Sequence, residues 1–327
     1  MGAMASHRIL AVVTSVVLLA GCTSDADDGD AAPPSSQRGD GAPTTNSTTS
    51  TTSTTLATTT TTTPPPPPEL PRGGRAIFPD HRVVAHYGNA ESTAMGILGQ
   101  TPPGEAAALV ETAAEAFAEP GRPVLPAFEL IVSVAQPVPG PNGNYSLPTP
   151  DALVLEWLAA ARAADMLLIL DIQPGSSEFL PEVQRFEQFL REPDVGLALA
   201  PEWRMPDGQA PGEAIGTVDA AEINEVSAWL ADIVETEDLP EKLFVLHLFT
   251  ETMITNREAV EDRPGLATVF HVDGFGGRQI KLEKYEALKG PYATGFKLFL
   301  DPNLDTDLFE PADVLALDDP PDLISYQ

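Results

Sequence analysis

The sequence predicts a (β/α)8, TIM-barrel-like α/β fold, and three observations predict it. Eight short β-rich runs lie between positions 82 and 327, amphipathic segments separate them, and a polar or titratable side chain stands near the end of each run. Regular alternation of strand and helix implies parallel strands, and runs that are apolar on both faces imply cover by helices. Eight is the number that closes a barrel, and in a barrel the functional groups stand at the C-terminal strand ends, around the mouth. A doubly wound open sheet is the runner-up.

The runs are "RVVAHYGN" (82–89), "VLPAFELI" (124–131), "MLLILDIQ" (166–173), "VGLALAPEW" (195–203), "KLFVLHLF" (242–249), "LATVFHVDG" (266–274), "ATGFKLFL" (293–300) and "PDLISYQ" (321–327). Between them, Thr149 followed by Pro150 reads as an N-cap with proline at the first helical position. Asp219 with Glu222 three residues later reads as a capping box. Ile223, Val226, Leu230 and Ile233 then keep a helical period, so one face of that helix packs on the sheet. Trp157 and Trp229 fall on similar apolar faces and are assigned to the core. The last run is followed by no eighth helix, and residues 70–80 or a neighbouring molecule are the candidates for covering that gap.

The first residues have a different character. A basic start, an apolar stretch from Ile9 to Leu19 and small residues before Cys22 read as a signal peptide over 1–21. Cys22 is the only cysteine, so no disulfide forms within one chain. Residues 22–75, with "TTNSTTSTTSTTLATTTTTTPPPPP", contain little to bury and read as a disordered Thr/Pro-rich linker before a single domain over 76–327. Two basic and six acidic residues precede Arg72, so the remainder carries −26 of the chain's −30 net charge. A field of that sign repels nucleic acid and other polyanions. The expected partners are the membrane, through Cys22, and a carbohydrate or other small polar ligand, with the domain a monomer.

The strand ends supply the candidate site. Read in order they offer His86, Glu129, Asp171 and Gln173, Glu202, His247, His271 and Asp273, Lys297, and Tyr326, with Trp203 beside Glu202 as a sugar-stacking surface. Any one of these has a structural reading: a strand-end histidine satisfied by a carbonyl, a lysine neutralising buried carboxylates, a tryptophan that only packs. Together they are harder to account for by packing, because burying so many titratable groups is costly unless pairing or function compensates. Two long Gly/Pro-rich loops, 135–150 and 204–218, follow the second and fourth runs and would wall the mouth.

Several resemblances bear on chemistry. Leu19-Ala20-Gly21-Cys22 resembles the lipobox of bacterial lipoproteins, which implies cleavage before Cys22, a lipid on its sulfur and an extracytoplasmic, membrane-anchored location. Glu202 on the fourth run resembles the acid/base position of the largest clan of barrel glycosidases. At that clan's preceding asparagine stands Pro201, and at its strand-seven glutamate stands Lys297. Histidines on runs five and six resemble the amidohydrolase arrangement, but its strand-one His-x-His is reduced to "AHYGN". The stretch from about 82 onward, with "LLILDIQPG", "LALAPEWRMP" and "HVDGFGG", resembles a family of actinobacterial secreted lipoproteins of unestablished activity. The expectation is a glycoside hydrolase-like enzyme with no cofactor, using Glu202 with Asp171 or Asp273 and binding substrate through His86, Glu129, Gln173, Trp203, His247, Lys297 and Tyr326. One alternative is a hydrolase holding a divalent metal on His86, His247, His271 and Asp273. The other is a tethered protein that binds a glycan or ligand without turnover.

Overall fold

The computed structural model describes residues 66–327 except position 142. The expected signal peptide over 1–21, Cys22 and most of the expected linker lie outside the described residues. Eight parallel strands form the barrel: β1 (Arg82–Asn89), β2 (Val124–Ala135), β3 (Leu167–Ile172), β4 (Val195–Leu199), β5 (Lys242–Leu248), β6 (Leu266–Val272), β7 (Ala293–Leu298) and β8 (Leu323–Tyr326). The sheet closes because β1 pairs with β8 on one side and with β2 on the other. A closed ring excludes the doubly wound alternative.

Strand period sorts the side chains into two layers. Val83, Ala85, Leu125, Ala127, Leu167, Ile169, Ala198, Leu243, Val245, Ala267, Val269 and Leu323 form the interior cluster. Their alternates, among them Val84, Phe128, Leu170, Leu197, Leu246, Phe270 and Ile324, pack outward into one continuous core with the helices. Those helices are α1 (Pro103–Glu115), α2 (Asp151–Ala163), α3 (Phe179–Gln184), α4 (Glu187–Leu190), α5 (Ala220–Thr236), α6 (Arg278–Leu288) and α7 (Pro311–Leu315). Ile223, Val226, Leu230 and Ile233 are buried on α5, as their period predicts, and Trp157 lies at full depth edge-on to Phe128.

Two cap assignments change in detail. Asp219 caps α5 through Ala221 N–H, but Glu222 does not reach back: its carboxylate takes Phe179 N–H and the Arg204 guanidinium. That ties α5 to the loops after β3 and β4. At α2 the N-cap is Pro150, one residue later than expected, and the Thr149 hydroxyl donates to Ile131 C=O.

Among the described residues, no α-helix lies between β5 and β6 or after β8. After β5 the chain forms only a short strand, Ile254–Thr255, and one 3-10 turn, Arg257–Ala259. Asn256 precedes that turn in the left-handed region, and the segment 250–265 carries no sustained apolar period. Beyond β8, residues 70–80 do not stand in for the eighth helix. Leu70 and Ile77 join the interior cluster from below, Arg75 C=O accepts from Glu241 N–H, and Glu241 accepts from Ile77 and Phe78 N–H. This segment therefore closes the barrel floor, and the ordered domain starts before position 76. The seam between β8 and β1 is filled by outward side chains: Tyr326 packs on His86 and on Phe117, just past α1.

Candidate active site

Inward positions at the upper ends of the strands bring one layer of polar groups together. His247 and His271 are direct partners across β5 and β6, and Tyr87 stands opposite Glu129 across β1 and β2. At the centre, His247 uses both ring nitrogens: Nε2 lies 2.7 Å from Glu129 Oε1 and Nδ1 lies 3.0 Å from Asp273 Oδ2. Burial disfavours its charge, but the two carboxylates outweigh that and hold it well above its ordinary range, as an imidazolium. Its charge returns the effect. Burial opposes ionisation of Glu129 and Asp273, yet His247 and then Lys297 keep both below the usual carboxylate range.

Lys297 rises from β7 with Nζ 3.5 Å from the centre of the Tyr87 ring and 3.9 Å from Asp273 Oδ2. Tyr87 donates its hydroxyl to Asp171 Oδ2 at 3.1 Å, and Gln173 Nε2 donates to the Tyr87 oxygen at 3.4 Å. Gln173 is fixed in turn because its Oε1 accepts from Ala135 N–H. Burial lifts Asp171 to about 6. His271 is held neutral by burial and by the neighbouring cations, and its Nε2 lies 2.7 Å from Ser325 Oγ on β8. To get there the ring passes over β7 at Gly295, where any Cβ would stand 2.1 Å from His271 Nδ1. No other residue fits at Gly295 without moving that ring.

Glu202 enters from a 3-10 turn, Pro201–Trp203, just beyond β4. Ala198 on β4 belongs to the interior cluster, and with Gly196 and Ala200 it makes this line of the strand small. The Glu202 carbonyl accepts from Gly216 N–H, which anchors the loop after β4 over this side of the mouth. Burial, then the charges of Asp273 and Asp171, push the Glu202 carboxyl up to about 8. The displacement favours the protonated form of Glu202 at neutral pH and the ionised form of Asp273.

Of the residues expected at the mouth, Glu129, Asp171, Gln173, Glu202, His247, His271, Asp273 and Lys297 converge there. His86 and Tyr326 do not. Both lie on outward positions, in contact with each other across the β8–β1 seam, and burial lowers His86 to about 4. The set His86, His247, His271 and Asp273 is consequently not assembled, and among the described residues no group of His, Cys, Asp and Glu has metal-binding geometry. Trp203 is half-buried beside Glu202. Two members were missed, Tyr87 and Ser325. With Ala85 and Leu323 inside the barrel, strand parity turns Tyr87 and Ser325 inward and their neighbours His86 and Tyr326 outward.

One surface hollow lies on the exposed face of α6 around Gln279, Leu282, Glu283 and Glu286, where no functional groups converge. The chain matches no protein-family model and no curated protein. No described helix is long and apolar enough to cross a membrane.

Proposed function

We propose that the barrel mouth is the active site of a carbohydrate-active, glycosidase-like hydrolase in which Glu202 is the general acid and Asp273 the ionised carboxylate. The observation that carries this reading is the opposite displacement of two adjacent carboxyls. Neighbouring acids whose environments drive one up and the other down are ready for complementary roles. Glu202 would protonate the departing glycosidic oxygen. Asp273, kept anionic by His247 and Lys297, would act as nucleophile or activate water on the other side of the sugar. Asp171 is the less suited partner, since it lies deeper, carries the Tyr87 hydrogen bond and is raised rather than lowered. Glu129, Gln173 and Tyr87 position the others, and Trp203 offers a stacking face at the edge.

The non-catalytic binder would use the same mouth, whose Glu129, Asp171, His247 and His271 are almost wholly sealed from solvent, as in a structural ionic network. Turnover assays of the purified protein on wall and storage polysaccharides separate the two. Release of reducing ends supports the hydrolase, and saturable binding with no release across the panel supports the binder. The pH profile is a second expected result. Turnover should fall as pH rises through about 8, where Glu202 loses its proton, and on the acid side as Asp273 becomes protonated. A rate that keeps rising above pH 9 would exclude Glu202 as the acid.

We propose further that Cys22 anchors the protein to the outer face of the cell membrane, with the Thr/Pro-rich segment as spacer. This rests on the lipobox-like sequence. Cys22→Ala should give unlipidated precursor or released protein on fractionation, and a processed form that still partitions into detergent would contradict the anchor.

A further inference from the structure

A cation without a partner is unexpected in a domain that carries −26. Of the lysines and arginines among the described residues, Lys284 on α6 is the one with neither an ion pair nor a hydrogen bond. Lys242 and Arg257 also lack an acid, but both donate to backbone carbonyls. Lys284 does not extend into water as a surface lysine ordinarily does. Its side chain is half-buried and lies back across Gly274, where a Cβ would stand 2.5 Å from Cδ and 2.7 Å from Nζ. The half-exposed Phe275 ring is centred 5.8 Å from the ammonium. Burial holds the amine below the usual lysine range, and the charge of Asp273 opposes this only in part.

The position is open to a small molecule. Lys284 lines a hollow of about 320 Å³ between the segment after β5 and α6, with Phe249, Ile280, Ala287 and Leu288 as its apolar lining. That volume is at the lower end of those of ligand sites. Glu251 and Glu283 stand at the same hollow, and neither pairs with the ammonium. We infer that Lys284 is a nucleophilic amine and that the hollow is a covalent site for small aldehydes and ketones. A lysine desolvated against apolar surface is activated for this chemistry. The neutral amine adds to the carbonyl carbon, forming the N–C bond while one amine proton passes to the carbonyl oxygen. The resulting hydroxyl leaves with the second amine proton as water, which breaks the C–O bond and leaves a C=N imine. One amine and one carbonyl compound thus give one imine and one water, with no oxidant or reductant. The inference does not depend on the reading of the barrel mouth.

Reductive trapping on the purified protein tests it. The protein is treated with glyceraldehyde and sodium cyanoborohydride, which reduces an imine to a stable secondary amine, and peptide mass mapping gives the labelling rate at each lysine. Lys289 is the internal reference. It is also half-buried, just past α6, but Glu286 and Asp319 pair with it and hold it above the usual lysine range. Lys284 should label about tenfold faster than Lys289. Gly274→Ala should remove most of that advantage, because the new methyl meets only the far end of the lysine and pushes it from its place. The same variant should leave the melting temperature and the labelling of Lys289 unchanged. Lys284→Arg should abolish the fast label and spare the others. Labelling of Lys284 no faster than that of Lys289, or a fast label that Gly274→Ala does not slow, would overturn the inference.

Discussion

Glu202→Gln should lower hydrolytic turnover by ~10²–10⁴-fold, the usual contribution of a general acid, and leave the melting temperature nearly unchanged. The structural reason for the second half is that Glu202 is already neutral in the folded protein at pH 7. Glutamine has the shape of the protonated acid and removes only the transferable proton. Lys297, the nearest free-standing cation of the mouth, has its counter-charge in Asp273 and not in Glu202, so the substitution strands no buried ion. Melting curves with single-substrate kinetics measure both halves. A large fall in melting temperature with activity per folded molecule retained would make Glu202 a structural carboxyl.

Asp305→Ala should be the most destabilising single change considered, at roughly 3–5 kcal/mol, because it leaves a buried cation alone. Lys281 on α6 and Asp305 are both inside, 2.8 Å apart, with the ammonium lying against Phe296 and Phe299. The same ammonium donates to Gly274 C=O and Lys297 C=O, and the carboxylate accepts from Gly276 and Phe299 N–H. One ion pair therefore fastens the loop after β6 to the end of β7, next to Asp273 and Lys297. For a domain of this size that loss corresponds to a fall in melting temperature on the order of 10 °C. Denaturant unfolding gives the free energy directly. The double variant Lys281→Met, Asp305→Leu should recover part of the loss, since no charge is then stranded, while the two backbone donors stay unmet. A single-variant cost below about 1 kcal/mol would show that solvent reaches this pair.

The barrel was legible because its strands are short, apolar and evenly spaced, and because titratable groups recur at one end of each. What could not be read was which side of the sheet each strand end faces. His86 and Tyr87 are adjacent, as are Ser325 and Tyr326, and in both pairs the expected site residue faces outward and its neighbour inward. A one-residue change of parity exchanges mouth for exterior. Among the described residues, His86 and Tyr326 pack on each other at outward positions of the β8–β1 seam. Pairing across the barrel was equally hidden. His247 meets Glu129 from 118 positions away, and no local pattern records that contact. Lys281 and Asp305 were passed over because a lysine on a helix ordinarily faces water. By contrast the convergence of Glu202, Asp171 and Asp273 at the mouth follows from position alone, since the acids at the ends of β3, β4 and β6 are local features.

The account depends on Glu202 holding its proton at neutral pH beside an ionised Asp273. Carbon-13 NMR of protein labelled at the glutamate side-chain carboxyls, titrated in parallel with the Glu202→Gln variant, observes this directly. One resonance, absent from the variant, should remain in the protonated range at pH 7 and titrate near 8. If the resonance lost in the variant titrates near 4.5, the ordinary value for a glutamate, Glu202 is ionised at neutral pH and is not the acid of this site.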